Sequence, residues 1–256
     1  MLKTDNDKKL NVLITRPIKK AQALSSLLEA QNIACVNQPL FDYQPLASSQ
    51  TSATLLVNCD IIIFVSVAAV EFAHKSFAAN KWHYQHIVAV GKATKAALQQ
   101  LGVNNVLCPN QENSEGLLTL AVLNTSLCNK SITIVRGDGG REYLAKHLKS
   151  ADAKVTYSES YQRIWRTFTK DISKQWFKQQ INCIVVTSNA LLEKLILLTI
   201  EQSDTQPLSS HWRNQCLWVV ASQRIADQAK LLGLERIAIS DGASEQAILK
   251  KLLENN

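Results

Sequence analysis

The stretch KSITIVRGDGGREYLAKHLKSADAKVT, residues 130–156, decides the fold because an earlier part of the chain repeats its pattern. Residues 10–36, LNVLITRPIKKAQALSSLLEAQNIACV, align with it over the whole length, and Arg16 falls on Arg136 at an offset of 120. Each stretch reads as a strand, a turn, a helix with apolar residues every three or four positions, and a second strand. The chain therefore carries a duplicated β-α-β unit.

The remainder of the chain repeats in the same order. DIIIFVSVAAVEF (60–72) aligns with NCIVVTSNALLEK (182–194), so that Ser66 falls on Ser188. Trp82 then falls on Trp212, where the offset has grown to 130 because the second copy has a longer loop around 201–211. Alternating strands and helices are typical of parallel sheets. The sequence predicts two similar doubly wound parallel-sheet α/β domains related by the repeat. The expected strands are Val12–Thr15, Ile61–Val65, Ile87–Val90, Ile132–Val135, Cys183–Thr187 and Leu217–Val220.

The boundary between the two domains has two solutions in the sequence. A tandem division near 125–130 is one of them. Alternatively, the chain crosses at the breaks 38–46 and 159–168, which makes one domain discontinuous and turns the two crossings into a paired hinge. The pattern of strands and helices is compatible with both.

Composition indicates a globular protein that does not span a membrane. Apolar residues make up 46% of the chain and charged residues 19%. The longest apolar run, 61–70, is too short to cross a bilayer, and the polar start MLKTDNDKKLN is no signal peptide. We therefore expect a cytoplasmic protein. The six cysteines lack CxxC spacing, and His83 and His86 have no carboxylate or thiol nearby, so we expect buried thiols and no metal site.

The net charge of +7 and the pI near 9.1 favour an anionic partner. The basic residues are spread along the chain with few aromatics between them, which argues against nucleic acid. A polyanionic small molecule is the better candidate.

Ligands of parallel sheets bind where strands end and helices begin, because free backbone N–H groups there attract anions. Serine and threonine at these positions cap the helix or donate to a ligand, and the sequence does not distinguish the two. The candidate ligand-binding residues in these loops are Arg16, Ser66, Gly91, Thr94, Arg136, Gly137, Gly139, Ser188, Ser222 and Arg224.

The glycine turn between Arg136 and Arg141 does not fit a nucleotide. Gly137 and Gly139 begin a G-x-G-x-x-G pattern, but Glu142 stands where the third glycine belongs, and no P-loop lysine follows. Asp138 would repel a phosphate. Carboxylates fit better, since they accept N–H donors and arginine pairs singly at separate loops. No nucleophile–base pair stands out, so an enzyme of this sequence would mainly bind and shape a reactive substrate.

Several motifs together resemble uroporphyrinogen-III synthase. They are TRP at 15–17, VGKAT at 90–94, a proline followed by SEGLL at 109–118, RGDGGREYL at 136–144 and Tyr161-Gln162-Arg163. The resemblance implies two α/β domains joined by a two-stranded hinge, which favours the crossing topology. It places domain 1 at 1–41 and 166–256, domain 2 at 45–160, and the hinge at 42–44 and 161–165.

The resemblance also implies a reaction. The family converts hydroxymethylbilane, a linear tetrapyrrole with acetate and propionate groups on every ring, to uroporphyrinogen III with inversion of the D ring and loss of water. It uses no cofactor. Tyr161 matches the tyrosine proposed to assist departure of the hydroxyl group, with Tyr157 and Tyr43 as competitors, and Thr94 matches a threonine of the family's cleft. Two departures stand out: Ala68 replaces an asparagine, and Ala221 replaces a glycine.

Two classes of function remain open at this point. The first is the cyclising enzyme of tetrapyrrole (haem) biosynthesis, a monomer that receives its substrate by hand-over from hydroxymethylbilane synthase. The second is a non-catalytic two-lobed protein that binds an anionic small molecule, which the lack of a catalytic constellation suits.

Overall fold

The computed structural model describes residues 9–46, 54–140, 142–202 and 206–256. The chain divides into two compact units. Unit 1 combines the residues up to Asp42 with Trp165–Asn256, and unit 2 is Tyr43–Ile164.

Strands and helices alternate through most of the described residues. In chain order the strands are β1 (Asn11–Ile14), β2 (Ala34–Asn37), β3 (Phe41–Pro45), β4 (Ile61–Phe64), β5 (His86–Ala89), β6 (Ser131–Gly137), β7 (Lys154–Trp165), β8 (Cys183–Val186), β9 (Leu217–Val220) and β10 (Ile237–Ile239). The helices are α1 (Ile18–Glu29), α2 (Val67–Ser76), α3 (Lys92–Gln100), α4 (Ser114–Leu118), α5 (Tyr143–Ser150), α6 (Ile172–Lys178), α7 (Asn189–Ile196), α8 (Gln206–Ser210), α9 (Gln223–Leu231) and α10 (Glu245–Leu253). The segment expected as a longer loop around 201–211 instead contains α8, between the π-helical turns Leu197–Glu201 and His211–Gln215, and residues 203–205 lie outside the described residues.

Each unit contains one five-stranded sheet, and the two sheets share one plan. Sheet 1 has the order β10-β9-β8-β1-β2 with every pair parallel. Sheet 2 has the order β3-β7-β6-β4-β5. At the position that β10 occupies beside β9 in sheet 1, sheet 2 has an isolated bridge between Leu107 and Val88 of β5. The repeat equates β1 with β6, β2 with β7, β4 with β8 and β5 with β9. These observations confirm the expected fold class of two similar α/β domains with parallel-dominated sheets.

The two copies of the repeat exchange their first β-α-β units. Strand β1 pairs with β8 of the second copy, so that Val12 lies opposite Cys183. Strand β6 of the second copy pairs with β4 of the first, so that Ile61 lies opposite Ile132. A tandem division near 125–130 would keep these partners in different domains, and it does not describe this topology.

Strands β3 and β7 form an antiparallel ribbon across both unit boundaries. Arg166 donates its N–H to the Leu40 carbonyl at 2.9 Å, and Leu46 donates to the Ser160 carbonyl at 3.3 Å. Strand β3 is absent from the strands expected from the sequence, because its segment FDYQP has neither strict alternation nor a β-branched run. The ribbon contains the segments 42–44 and 161–165, whose role as a hinge stays a prediction.

Burial on both faces explains the unbroken apolar strands of sheet 2. Ile62 and Phe64 of β4 pack into one cluster together with Trp82, whereas Ile61 and Ile63 pack into another on the opposite face. A central parallel strand covered by helices on both sides reads as a continuous hydrophobic run.

A similar polar anchor fixes the first amide of the repeat-equivalent strands β6 and β1. The Asp60 carboxylate accepts from Ser131 N at 2.8 Å, and the Asn182 side-chain oxygen accepts from Asn11 N at 2.8 Å. Asp60 also accepts from Ser131 Oγ at 2.8 Å and from Lys130 Nζ at 3.1 Å. The Ser131 donors, followed by Lys130, lower the pKa of Asp60 to about 2.

The cysteines are free, as expected, but not all are buried. Cys59, Cys183 and Cys216 lie in the cores, Cys35 and Cys108 are half-buried, and Cys128 is exposed in the turn before β6. Buried thiols were the wrong expectation at Cys128, since a turn places its side chain outside the packed layers. None of the described helices is long and apolar enough to cross a membrane.

Candidate functional site

The carboxyl ends of the sheet 2 strands surround a cavity of about 420 Å³ that lies entirely within unit 2. Strands β3, β6 and β7, the start of helix α2, and helices α4 and α5 contribute to it, together with the residues that follow β4 and β5. The lining includes most of the candidate residues of this unit, among them Ser66, Arg136, Gly137, Gly139 and Tyr161. The glycine turn and Tyr161 thus line the same cavity.

Tyr161 is held on the cavity wall with its ring buried and its hydroxyl group directed at Ser66. The residue is only 6% exposed, and its ring packs edge-on against Tyr43 at a centroid distance of 4.8 Å and beside Phe72 at 5.6 Å. The Tyr161 Oη lies 3.2 Å from Ser66 Oγ. Ser66 is also the N-cap of α2, since its Oγ accepts from Ala69 N at 3.0 Å. A hydrogen-bond chain therefore runs from the helix start to the phenol.

Gly137 makes room for the Tyr161 ring. The pairing of β6 with β7 shifts at this point: Arg136 lies opposite Glu159, but Gly137 lies opposite Tyr161, so Ser160 is passed over as a bulge. A Cβ atom at residue 137 would lie 2.6 Å from Tyr161 Cε2 and 2.7 Å from Cζ. Glycine is required here by the close approach of the aromatic ring, and not by a phosphate or by an unusual backbone conformation.

The turn after Gly137 follows the edge of β7. Asp138 donates its N–H to the Tyr161 carbonyl at 2.8 Å, and its carboxylate accepts from Arg163 N at 3.2 Å. Gly139 and Gly140 have φ values of 69° and 137°, which a side chain would disfavour. Arg141 lies outside the described residues. The turn is thus tied to the strand that carries Tyr161.

Arg136 forms ion pairs with two glutamates. Its Nε and Nη2 donate to Glu159 Oε1 at 3.2 and 3.0 Å, and its Nη1 donates to Glu142 Oε1 at 2.7 Å. The guanidinium lies 3.6 Å from the centroid of the Tyr157 ring, and the Tyr157 hydroxyl donates a short hydrogen bond to Glu142 Oε2. Arg136 and Tyr157 therefore present two donors to one carboxylate.

The protonation states of this pair follow from its surroundings. Burial, followed by the hydrogen bond to Glu142, raises the pKa of Tyr157 to about 12. The Tyr157 hydroxyl, followed by the Arg136 guanidinium, lowers the pKa of Glu142. At neutral pH Tyr157 is consequently a neutral donor and Glu142 an ionised acceptor.

Gly91 and Thr94 are not among the described residues that line the cavity. Gly91 is the N-cap of α3, and a Cβ there would meet the flexible Glu112 side chain at 2.2 Å. Thr94 is 4% exposed and lies on the buried face of α3. The VGKAT motif suggested that Thr94 contacts a ligand, whereas its burial on α3 shows that its side chain packs inside unit 2.

The candidate residues of unit 1 lie at the carboxyl edge of sheet 1. Ser188 and Ser222 cap α7 and α9, accepting from Leu191 N at 3.3 Å and Ile225 N at 3.4 Å. Ala221 is the repeat equivalent of Gly91, which is the N-cap of α3. In the second copy the N-cap is instead Ser222, so α9 begins one position later than α3. Arg224 is exposed on the first turn of α9.

Arg16 differs from its repeat partner Arg136. Its side chain is 3% exposed, pairs with Glu245 at 3.0 Å and donates to the Ala243 carbonyl at 2.8 Å. Arg16 thus ties the loop before α10 to the end of β1. The sequence alone suggested equal roles for the two arginines, but their carboxylate partners come from different parts of the chain and differ between the units.

Sequence reasoning missed Glu142 and Glu159 and treated Tyr157 only as a competitor of Tyr161. A signal was present for Tyr157 and Glu159, since residues two apart along a strand tend to share a face. The bulge at Ser160 instead places the Tyr161 ring with the cluster on the opposite face of the sheet. Within the ranges that the structure covers, no three His, Cys, Asp or Glu residues are placed together as metal ligands.

Known proteins match this chain over nearly its whole length. A family model described as Uroporphyrinogen-III synthase HemD matches residues 22–250. The uroporphyrinogen-III synthases of Salmonella typhimurium LT2 and Escherichia coli K12 are each 30% identical to it over 251 residues, which are 95% of this chain and 100% of either relative. These matches confirm the resemblance seen in the motifs.

Solved structures match the fold at lower identity. A mutant uroporphyrinogen III synthase from the extremely thermophilic bacterium Thermus thermophilus has a TM-score of 0.64 at 12% identity, covering 96% of this chain and 100% of that one. The enzyme from Helicobacter pylori 26695 has a TM-score of 0.57 at 15% identity, with the same coverage of both chains.

Proposed function

The chain belongs to the uroporphyrinogen-III synthase family, an enzyme family of haem biosynthesis, and from this premise we propose that it cyclises hydroxymethylbilane to uroporphyrinogen III. In this reaction the D ring is inverted and one water is lost. The observation that carries the proposal is the Tyr161 phenol, fixed on the cavity wall 3.2 Å from Ser66 Oγ.

The first step needs a proton for the departing hydroxyl group. The pyrrole nitrogen supplies electrons as the C–O bond of the hydroxymethyl group breaks, and the hydroxide takes a proton from Tyr161 and leaves as water. The azafulvene carbon bonds to the substituted α-carbon of the last ring, which gives the spiro intermediate. The bond from that carbon to its original methylene bridge then breaks, and the freed methylene bonds to the other α-carbon of the ring, so that the ring is inverted. When the macrocycle closes, a ring carbon gives up its proton and Tyr161 is protonated again, so the net loss is one water.

Ser66 prepares Tyr161 for this step. Its Oγ already accepts the Ala69 N–H at 3.0 Å. If Ser66 donates its own proton to Tyr161 Oη, the phenol proton is left to point at the substrate. The positive end of helix α2 then stabilises negative charge as it develops on the tyrosine. Serine and tyrosine act as one donor chain.

The substrate carries eight carboxylates, and we assign them to backbone amides and side chains at strand ends. In unit 2 these are the donors around Ser66, Gly137 and Gly139, together with Arg136. In unit 1 we propose Ser188, Ser222 and Arg224, whose positions on α7 and α9 place them at the carboxyl edge of sheet 1. Such contacts hold the chain in the spiro-forming shape, which is where most of the catalysis lies.

The direct test is to supply hydroxymethylbilane and resolve the uroporphyrin isomers after oxidation. Type III isomer above the spontaneous background supports the proposal. Type I isomer alone, at the uncatalysed rate, would reject it and leave a non-catalytic binding protein.

The role of Tyr161 is tested with Tyr161→Phe. We expect turnover to fall on the order of 10²-fold, because one positioned proton donor is lost, with a cooperative unfolding transition retained. Tyr84→Phe is the matched control, since it removes a phenol oxygen from the same unit at a residue that is not among those lining the cavity. Normal turnover in Tyr161→Phe would remove this residue from the mechanism.

We also propose that the enzyme is a cytoplasmic monomer that needs no cofactor and takes its substrate directly from hydroxymethylbilane synthase. Light scattering during size-exclusion chromatography tests the oligomeric state. A transient-time measurement with both enzymes tests the hand-over, since direct transfer shortens the lag before uroporphyrinogen III appears.

A further inference from the structure

We propose that Arg136 and Tyr157 form a carboxylate-binding subsite that Glu142 occupies in the free protein and that a substrate carboxylate takes over. The inference rests on the proposed function, because it assigns the incoming group to an acetate or propionate of the tetrapyrrole. In the free protein the Glu142 carboxylate occupies the position that the substrate carboxylate takes in the complex.

The geometry is that of a preformed clamp for one carboxylate. Arg136 Nη1 donates to one oxygen of Glu142, at 2.7 Å, and the Tyr157 hydroxyl donates to the other. The two donors keep a fixed spacing because the guanidinium is stacked 3.6 Å from the centroid of the Tyr157 ring. Any carboxylate of similar size satisfies the same two donors.

The opposite edge of the guanidinium is fixed separately. Glu159 Oε1 accepts from Nε and Nη2 of Arg136 and lies 3.4 Å from Gly139 N. Glu159 therefore orients the arginine whether or not Glu142 is in place. Both Arg136 and Tyr157 line the cavity that carries Tyr161, so the clamp is accessible from the proposed substrate site.

Exchange of Glu142 for a substrate carboxylate carries a small electrostatic cost. Arg136 has a side-chain exposure of 11%, and an unpaired cation at such a site would be unfavourable. Replacing one carboxylate by another keeps the pair intact throughout. Glu142 itself is 47% exposed, and its release returns it to water.

The position of Glu142 in the chain allows its side chain to be displaced without disturbing the helix that follows. It is the residue before α5, and its side chain makes no capping hydrogen bond to that helix. Loss of its contacts with Arg136 and Tyr157 thus leaves the helix start as it is. The residue belongs to the same turn as Gly139 and Gly140, so displacement of Glu142 couples substrate binding to the glycine turn.

The test is a binding measurement with uroporphyrin III, a stable octacarboxylate, followed by quenching of tryptophan fluorescence. Glu142→Gln weakens the internal competitor and should lower the Kd for uroporphyrin III by about 3- to 10-fold. Tyr157→Phe should raise the Kd by a similar factor, also in the Glu142→Gln background. Glu29→Gln, which removes an equal charge from the exposed end of α1, is the control.

A Kd for Glu142→Gln equal to or above that of Glu29→Gln would overturn the proposal, and Glu142→Ala checks the same point with a second variant. In the unaltered protein, the ¹⁵N signal of Arg136 Nε should shift on adding uroporphyrin III, whereas that of Arg166, paired with Asp42 on the surface, should not. An Arg136 signal that stays in place would equally overturn it.

These outcomes are separable from the proposed function. Formation of type III product by a protein whose Glu142→Gln variant shows no tightening would reject the subsite alone. Tightening without type III product would reject the cyclisation and leave the carboxylate subsite standing.

Discussion

The substitution Gly137→Ala tests whether the position of the Tyr161 ring controls catalysis. The added Cβ would lie 2.6 Å from Tyr161 Cε2 and 3.1 Å from the phenol oxygen itself, whereas ordinary contacts of a Cβ begin at 3.4 Å. The backbone of β6 is fixed by pairing with both β4 and β7, so the tyrosine ring has to yield. The required movement is about 0.8 Å.

A movement of that size breaks the contact that we consider essential. The distance from Tyr161 Oη to Ser66 Oγ is 3.2 Å, so a further displacement of a few tenths of an ångström removes the hydrogen bond. Misplacement of a catalytic group by roughly 1 Å costs about 10²-fold in rate, and we expect kcat to fall by about that factor. Overpacking should lower the free energy of unfolding by about 1–3 kcal/mol.

The assay is single-turnover formation of the type III isomer, with stability measured by urea unfolding. Gly102→Ala is the matched control: its φ of +79° strains an alanine, but no atom lies within 4 Å of the new Cβ. That variant should lose about 1 kcal/mol of stability and keep its kcat. If Gly137→Ala turns over as fast as Gly102→Ala, the position of the ring does not matter and our reasoning is refuted.

Further predictions follow from the ion pairs, the helix caps and the Asp60 anchor. Arg16→Ala should lower the free energy of unfolding by about 3 kcal/mol, because it removes a buried partner of Glu245. Substitution at the equivalent repeat position, Arg136→Ala, should instead raise the Kd for uroporphyrin III about 10-fold and cost less stability. A larger loss of stability in Arg136→Ala, measured by urea unfolding, together with weaker binding by Arg16→Ala would contradict the roles assigned to both arginines. Ser66→Ala and Ser244→Ala each remove a helix cap, which should lower the free energy of unfolding by about 1 kcal/mol. Only Ser66→Ala should also lower kcat, by about 10-fold, because it breaks the donor chain to Tyr161. Equal kcat values in the two variants would exclude that chain. The pKa of Asp60 is lowered to about 2 in the folded protein. The ionised carboxylate therefore adds about 1–2 kcal/mol to the free energy of unfolding, after a discount for partial solvent access. This stabilisation is present above pH 4 and is lost as the pH falls towards 2. Asp60→Asn should flatten the dependence of stability on pH in this range, and an unchanged slope in acid titrations would count against the anchor.

The sequence was most informative where local chemistry decides structure. The β-branched runs at 61–65 and 217–220 predicted strands within a residue of those observed, since a strand buried on both faces must be apolar throughout. Ser66, Ser188 and Ser222 were recognisable as helix caps from their position after a strand, and each accepts a backbone N–H three residues on. Repeat alignment also identified the fold class, because a duplicated pattern reports on architecture even when single motifs are weak.

The side-chain partners that the fold brings together escaped the sequence analysis. Arg16 and Arg136 occupy equivalent repeat positions, but the first meets Glu245 and the second meets Glu142 and Glu159. No local pattern encodes which carboxylate a sheet brings to an arginine. Similarly, Gly137 looked like part of an anion-binding loop, whereas its lack of a side chain serves the Tyr161 ring, which the bulge at Ser160 brings opposite.

The exchange of strands between the repeats has a consequence during protein synthesis. Val12 of β1 meets its neighbour Cys183 only after more than two thirds of the chain has emerged from the ribosome, and β10 follows later still. Sheet 2 has all its strands once residue 165 is out, so it can assemble on the nascent chain while β1 and β2 still expose unpaired edges. Strands β1 and β2 are therefore synthesised before the rest of sheet 1, but β1 finds its neighbour only when β8 has emerged.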